Sequence, residues 1–412
     1  MTATRTERDA LGSLTLPASA LYGIQTQRAL DNLAFSRHRL GAYPAYLSAL
    51  AAVKRAAARA NREAGVLDAP RAAAIDAAAV AVAAGEHADQ FPVDLLGGGG
   101  SIGINMNVNE VLANLAGERL GSARGSYDAI HPLEHVNASQ STADVCHTAA
   151  RLAVAAAAGP ALAAIDACAA ALGERAAALA AVPTLARTCL QDAMPTTADV
   201  LPRGHAAALS ARAAGLRTAL AGLDAVTLGA TVIGDGRGAP PAYRQRVVPA
   251  LAASAGRPLR PHPHPAAALQ NGDDLATVAA ELGLLARALL KAAQDLRLLS
   301  SGPRGGMGEL RLPHVQAGSS FFAGKSNPVV PESVIQCACQ LLGAERAVQE
   351  AHGRAELHLQ VFDAVAVVNV LDALGMVAAV LGRFEARCLR GIEMNAERCK
   401  EITTEGHRGT QR

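Results

Sequence analysis

The longest regular apolar pattern in the chain lies between residues 275 and 299. Its apolar side chains recur at alternating steps of three and four residues, which is the spacing of one face of a long α-helix. The members are Leu275, Val278, Leu282, Leu285, Leu289, Ala292, Leu296 and Leu299. Asp273 or Asp274 can cap the start of this helix, and the turn at 301–303 ends it. Because an apolar stripe of this length packs against other helices, we expect a helical bundle.

Other segments repeat this pattern. A long helical pattern begins near residue 143 and carries a second seam from Leu162 to Leu179; Pro160 is expected to start or kink this helix. Residues 331–390 are almost entirely helical in pattern, with weak points at three glycines, and shorter helices are predicted at 43–65, 68–86 and 199–222. Residues 1–40 are predicted to form an irregular arm with turns, and no strand-rich section is visible. The sequence therefore predicts a mainly α fold.

Composition excludes several classes of protein. The chain has 412 residues, of which 50% are hydrophobic and 3% aromatic, and its net charge of +2 with no basic run argues against a nucleic-acid surface. Its seven cysteines have neither zinc spacing nor a disulfide framework, which favours reduced thiols. The N-terminus lacks an apolar signal core, and no uncharged run has membrane length with high Leu, Ile and Val density. We expect a cytoplasmic protein.

The loop at 316–328 concentrates side chains that can take part in binding and catalysis. It contains Ser319, Ser320, Lys325 and Asn327 together with two glycines, so it can bend freely and close over a small ligand. By itself this composition also fits a flexible polar connector.

Two further polar segments accompany it. Three asparagines alternate with apolar residues at 105–109, where they must satisfy hydrogen bonds in a polar interior or bind a ligand. Ser141 and Thr142 lie just before a helix, where backbone N–H groups favour a carboxylate. Ser141 also fits a plain N-cap, and the two roles are compatible.

Nucleotide and metal sites are poorly supported. The glycine run at 97–100 lacks the Gly-Lys-Ser/Thr ending of a phosphate loop. His262 and His264 alternate with prolines in an exposed segment and have no third ligand nearby. We therefore expect no metal and no organic cofactor.

Taken in order, these polar segments resemble the aspartase/fumarase superfamily, and within it the aspartate ammonia-lyases. The matching segments are 21–26, 89–94, 105–114, 135–137, 139–142, 187–188, 190–193, 298–304 and 318–332. The resemblance implies a three-part, mainly α subunit with an N-terminal domain at 1–130, a long-helix bundle at 131–392 and a remnant of a C-terminal domain at 393–412. It also implies a homotetramer whose active sites are each built from several subunits, with a small dicarboxylate as substrate.

The chemistry implied by the resemblance is anti β-elimination from a succinate skeleton to give fumarate. By position, Ser319 would be the general base that removes the Cβ proton, with Lys325 beside it in the catalytic loop. The other residues carried over would bind the two carboxylates or support the site. Ser141, Thr142 and Ser320 would hold the carboxylate that becomes the aci-carboxylate; Thr188, Lys325 and Asn327 would hold the other; Asn107 would also bind substrate, and His135 and Glu332 would support the site.

Three positions depart from the aspartate ammonia-lyase pattern, and all surround the leaving amino group. Ile102 replaces a threonine, Ala143 an asparagine, and Cys189 a histidine or glutamine. An ammonium group would lack hydrogen-bond acceptors there, so the leaving group is not expected to be ammonia. Nitrite from 2-nitrosuccinate is favoured, and a substituted nitrogen is the second choice.

Other departures leave alternatives open. Glu332 is retained without its histidine partner, 321–323 is Phe-Phe-Ala instead of Ile-Met-Pro, and the chain stops where the family's C-terminal domain would continue. Beside the lyase with an unusual leaving group stand an ordinary aspartate ammonia-lyase that tolerates these changes through waters, and a non-catalytic subunit that binds a dicarboxylate or assembles with an active homologue. Retention of Ser319, Lys325 and Asn327 speaks against the last.

Overall fold

The computed structural model describes residues 3–409, with side chains described through residue 403. Twelve α-helices dominate this part of the chain. They are α1 (Ile24–Leu33), α2 (Pro44–Glu63), α3 (Ala69–Ala83), α4 (Ile102–Arg119), α5 (Thr142–Leu179), α6 (Val200–Gly222), α7 (Pro241–Ala255), α8 (Pro265–Asn271), α9 (Asp273–Leu299), α10 (Val329–His352), α11 (Asp363–Arg387) and α12 (Ala396–Gly409). The prediction of a mainly α fold is confirmed.

Eight short strands form four two-stranded sheets in the described residues. The strands are β1 (Thr4–Asp9), β2 (Gly12–Pro17), β3 (Pro183–Thr188), β4 (Gln191–Thr197), β5 (Ala225–Val226), β6 (Arg260–Pro261), β7 (Leu310–Arg311) and β8 (Glu393–Met394). Three pairs are antiparallel, β1 with β2, β3 with β4 and β7 with β8, whereas β5 and β6 are parallel. A single-turn π-helix at Pro132–Val136 precedes α5.

The chain divides into two compact units. The first comprises residues 1–157, 220–277 and 347–371, and the second comprises 158–219, 278–346 and 372–412. In the first unit α2 packs against α3 and α7, and α3 packs against α4. In the second unit α12 packs against β3.

The long helices follow the predicted seams. In α9 every predicted seam residue from Leu275 to Leu296 is buried, and Leu299 is half-buried. Pro160 lies inside α5 rather than at its start. Of the three glycines in 331–390, only Gly353 coincides with a break, because Gly343 and Gly375 remain within α10 and α11.

The prediction of an irregular arm at residues 1–40 was wrong. The first residues pair as the β1–β2 hairpin, and α1 follows. Glu110 of α4 fixes the start of α1, because its buried carboxylate accepts backbone N–H groups of Gly23, Gln25 and Thr26 at 2.8–3.0 Å. A Cβ at Gly23 would lie 2.2 Å from the Tyr127 hydroxyl, so any larger residue here would displace that side chain.

Two helical stretches, Thr142–Leu179 and Asp363–Gly391, are long and apolar enough to cross a membrane by length and composition alone. Both stretches contain charged residues, for example Arg151 and Asp372, so neither is an uncharged run. The most apolar windows of these stretches are 39% and 56% buried within the chain, and the core helices of soluble proteins pass the same test. The observation is weak evidence for a membrane.

Candidate active site

The N-terminus of α5 is a capping box. The Ser141 hydroxyl accepts the backbone N–H of Ala143 at 3.2 Å, and the Asp144 carboxylate accepts the backbone N–H of Ser141 at 2.9 Å. Ser141 is therefore an N-cap, as one of its two predicted roles requires. Its hydroxyl and that of Thr142 are half-buried, so a ligand can still reach them.

Asp144 continues inward from this cap. Its second carboxylate oxygen accepts the backbone N–H groups of Gly229 and Thr231, both at 3.0 Å. Burial raises the pKa of this carboxyl group to about 6, against the opposing effect of the three backbone donors. The carboxylate thus ties the start of α5 to the loop after β5.

A buried polar network lies beside Thr142. The Oδ1 atom of Asn137 accepts hydrogen bonds from Lys54 Nζ at 2.8 Å and Asn105 Nδ2 at 3.1 Å. The same Asn105 Nδ2 donates to Thr142 Oγ1 at 3.0 Å. Asn109 Nδ2 also donates to Asn137 Oδ1, at 3.3 Å. The polar interior predicted for the asparagine-rich segment is therefore present.

Asn107 lies outside this network. Residues 105 and 109 are four apart on α4 and share a face, whereas 107 points to another side of the helix. Its Nδ2 donates to the carbonyl of Gln90 at 3.0 Å, and its buried Oδ1 has no partner. Its assignment to substrate binding stays a prediction.

Two of the residues assigned to the leaving group lie at helix starts in the first unit. Ile102 is the first residue of α4 and is 44% exposed, whereas Ala143 in α5 is buried. Ala143, Thr142 and Ser101 line a small cavity of about 20 Å³. A cavity of this size holds about one water molecule.

The third such residue lies in the second unit, at the tip of the β3–β4 hairpin. Thr188 pairs with Gln191, so Cys189 and Leu190 form a two-residue turn with φ values of 54° and 60°. Positive φ at both positions is typical of a type I′ turn, which favours Asn and Gly rather than Cys and Leu. Thr188 and Cys189 are exposed at this tip.

A buried carboxylate holds the base of the hairpin. Glu309 is almost completely buried; it lies 2.7 Å from Arg187 Nη2 and accepts the Thr184 hydroxyl at 3.1 Å. The ion pair with Glu309 gives Arg187 a structural role, because it anchors the end of β3, where Thr188 lies.

The loop at 316–328 closes on itself at its base. The backbone N–H of Gly318 donates to the carbonyl of Lys325 at 2.9 Å, and Asn327 Nδ2 donates to the carbonyl of Gly318 at 2.8 Å. A Cβ at Gly318 would lie 2.7 Å from both Asn327 N and Lys325 O, closer than side-chain carbons approach backbone. The glycine therefore permits the loop to close.

Within this loop the Ser319 hydroxyl oxygen accepts two backbone N–H groups. Phe321 donates at 3.0 Å and Phe322 at 2.8 Å. Two donors aimed at one oxygen stabilise negative charge on it, which favours the deprotonated serine that a general base requires. Ser320 and Lys325 are exposed beside it.

The supporting residues have partners of their own. Glu332 lies 3.4 Å from Arg297 Nη2 near the start of α10. His135 Nδ1 accepts the backbone N–H of His131 at 2.8 Å, and burial lowers the pKa of its imidazole. Both contacts are structural, and the supporting roles stay predictions.

The structure therefore brings together Ser141, Thr142 and Ala143 in the first unit. In the second it groups Ser319, Ser320, Lys325 and Asn327 in one loop and places Thr188 and Cys189 at one tip. Sequence reasoning missed Lys54, whose only signal is a lysine in an alanine-rich helix that is otherwise buried on that face.

Comparison with known proteins adds the family context. The profile of a family described as Lyase matches residues 12–343. The aspartate ammonia-lyase of Pseudomonas aeruginosa is 39% identical over 402 residues, which are 97% of this chain and 84% of that protein. The class II fumarate hydratase of Thermosynechococcus vestitus is 40% identical over 397 residues, or 96% of this chain and 85% of that protein.

Among solved structures, fumarate lyase:delta crystallin from Brucella melitensis bound to cobalt is similar, with a TM-score of 0.94. The two chains are 41% identical, and the match covers 97% of this chain and 87% of that one. The similarity thus extends over nearly the whole fold.

Proposed function

This chain belongs to the Lyase family and is a lyase of the aspartase/fumarase superfamily, and from that premise we propose that it converts a C2-substituted succinate to fumarate by anti β-elimination. The Ser319 oxygen takes the proton from Cβ, and the electrons of that C–H bond form the double bond. The C2–substituent bond breaks, and its electron pair leaves with the substituent.

The observation that carries this proposal is the pair of backbone N–H groups on the Ser319 oxygen. A serine hydroxyl is a weak base in water, so its alkoxide must be stabilised before it can remove a carbon-bound proton. The donors from Phe321 and Phe322 supply that stabilisation at 3.0 and 2.8 Å. Lys325, six residues further in the same loop, adds a positive charge for a substrate carboxylate.

Thr142 supports the proposal because it can donate a hydrogen bond to a substrate carboxylate. Its oxygen accepts from Asn105, and within the described residues it donates no hydrogen bond, so its O–H remains available to an anion. Removing the Cβ proton places extra charge on the neighbouring carboxylate as the aci-carboxylate forms. A positioned donor there stabilises the transition state more than the ground state.

We propose nitrite as the leaving group and 2-nitrosuccinate as the substrate. The buried Ala143 has no polar side-chain atom and the exposed Ile102 has none, so neither can accept from an ammonium or donate to a poor leaving group. Nitrite leaves as a stable anion without being protonated. A substituted nitrogen is the second choice, because alanine leaves space at position 143.

Ordinary aspartate ammonia-lyase activity is the alternative that a specific observation favours. Asn105 Oδ1 is buried and has no partner, although the same amide donates to Thr142. A buried acceptor without a partner beside Thr142 can be satisfied by an ammonium group or by a bridging water. The aspartate ammonia-lyase of Pseudomonas aeruginosa is also among the similar proteins.

The discriminating experiment follows fumarate release by ultraviolet absorbance from 2-nitrosuccinate, L-aspartate and N-substituted aspartates. Nitrite is measured separately in the first reaction, and the Ser319→Ala protein corrects for spontaneous elimination. We expect fumarate and nitrite in equal amounts from 2-nitrosuccinate and negligible fumarate from L-aspartate. A kcat/KM for L-aspartate of roughly 10⁴ M⁻¹s⁻¹ or more would contradict the nitrite proposal and support ordinary aspartate ammonia-lyase activity.

We propose a cytoplasmic homotetramer in which different copies of the chain contribute to each active site. The 39% burial of the most apolar part of α5 leaves much apolar helix surface uncovered within one chain, which other copies can cover. All seven cysteines are unpaired thiols, which fits a reducing compartment. The three-part division at residues 130 and 392 belongs to this proposal. Light scattering tests it, and a stable, active monomer would contradict it.

A further inference from the structure

Lys54 is an unusual residue because its ammonium group is completely buried in α2 without a carboxylate partner. No ion pair with Lys54 occurs among the side chains described through residue 403, and its Nζ donates only to two side-chain amides, Asn137 at 2.8 Å and Gln140 at 3.1 Å. Burial lowers the pKa of this lysine to about 7. A buried cation is costly, so its position calls for a reason.

Lysine is a donor and an ammonium cannot accept, which determines how the neighbouring amides are oriented. Asn137 must turn its oxygen toward Lys54, and its Nδ2 then donates to the carbonyl of Gln140 at 3.2 Å. Gln140 is fixed independently, because its Nε2 donates to the carbonyls of Val136 and Ala138, both at 3.0 Å. Both partners of the lysine therefore present oxygen to it.

The orientation of the Asn137 amide also determines the hydrogen bonding of Thr142. Because Asn137 presents Oδ1, Asn105 must present Nδ2 to it, at 3.1 Å. The same Nδ2 group donates to Thr142 Oγ1 at 3.0 Å. The threonine oxygen is thereby used as an acceptor inside the protein, and its single O–H proton is directed elsewhere.

We propose that Lys54 is a positioning residue that sets the direction of the Thr142 hydroxyl proton, so that Thr142 donates to a substrate carboxylate. The proposal rests on the proposed function for the identity of that carboxylate. Lys54 itself does not touch substrate; it acts through Asn137 and Asn105. Without its ammonium group, Asn137 and then Asn105 can turn over, and the threonine proton can satisfy Asn105 Oδ1 instead.

The test is a double-mutant cycle between Lys54→Met and Thr142→Val, measured as kcat/KM and as fumarate affinity by calorimetry at pH 6, where Lys54 carries its proton. Lys54→Met is expected to lower both by about tenfold when Thr142 is present, the loss of one hydrogen bond to a charged group. In the Thr142→Val background it is expected to change them by less than about twofold. Arg55→Met is the matched control, since Arg55 is the neighbouring cation of α2 and pairs with Asp76 at 3.0 Å.

Equal losses in both backgrounds would overturn the proposal, because a general structural role acts whether or not Thr142 has a hydroxyl. No loss in either background would overturn it as well. If Lys54→Met does not fold, Asn105→Leu is used instead, because it removes the last hydrogen bond of the network, from Asn105 to Thr142. It must give the same non-additivity with Thr142→Val. Fumarate binding needs no turnover, so the cycle remains decisive even if none of the proposed substrates reacts.

Discussion

Thr142 and Ser319 are both hydroxyl residues assigned to the substrate, but their surroundings differ. Thr142 belongs to a buried network of side-chain amides that ends at Lys54. Ser319 lies in a loop where Phe321 and Phe322 are 85% and 61% exposed, and its hydroxyl is held only by backbone N–H groups of the same loop. Changes near Thr142 should affect both stability and binding, whereas changes in the loop should affect chemistry or binding and leave stability unchanged.

The largest effect is expected from Ser319→Ala. Loss of the general base should lower kcat by roughly a thousandfold, within the usual contribution of proton transfer by a side chain. The melting temperature should stay unchanged, because the hydroxyl bonds only exposed loop N–H groups. Steady-state kinetics and a thermal melt check both parts. Ser326→Ala in the same loop is the control and should retain activity; substantial turnover by Ser319→Ala would remove Ser319 from the role of base.

A large effect on stability is expected at Arg151, which lies nine residues after Thr142 in α5. Its guanidinium is fully buried between Asp274 and Asp363, and both contacts are charge-assisted hydrogen bonds. Arg151→Met would leave two carboxylates in the interior without a cation, at a cost of about 3–5 kcal/mol in the free energy of unfolding. Urea unfolding measures this loss.

The control for Arg151 is the exposed pair of Arg217 with Asp166. Arg217→Met should change the free energy of unfolding by less than about 0.5 kcal/mol. Similar losses at the two positions would mean that the buried cluster does not carry the stability assigned to it.

The third effect concerns pH and Lys54. Its pKa is about 7 in the folded protein against 10.5 for an ordinary lysine, so the unfolded chain binds one more proton between these values. Stability therefore rises with pH in this window, by up to about 1.4 kcal/mol per pH unit. Asp144, whose pKa is about 6, stays ionised there and does not reverse the sign.

The measurement compares wild type with Lys54→Met by urea unfolding between pH 7 and pH 8.5. The difference in their free energies of unfolding should change by up to about 2 kcal/mol, with wild type gaining as pH rises. Parallel pH profiles would show that the lysine keeps an ordinary pKa.

The contrast between the two regions also explains what could be predicted from sequence. The seam of α9 was visible because helix periodicity is local, and the loop was visible because its reactive residues are adjacent in sequence. Lys54 was not visible, because its role depends on Asn137, 83 positions away in the chain. The β3–β4 turn was also missed, since Cys189 and Leu190 are not the residues that favour positive φ.

Lys325→Ala should give the smallest of these effects, and it isolates the charge of the loop from its backbone. Lys325 is exposed, and the backbone bonds that close the loop use its carbonyl and N–H rather than its ammonium group. Removing the side chain should therefore leave loop and stability intact and weaken fumarate binding by about tenfold, the loss of one charge-assisted hydrogen bond at an exposed position. Calorimetry at low and high salt measures it, and the difference between wild type and variant should shrink with salt because an exposed charge is screened. Lys291→Ala, another exposed lysine, is the control. Unchanged fumarate affinity in Lys325→Ala would exclude this residue from the carboxylate site and leave the loop with Ser319 as its main contribution.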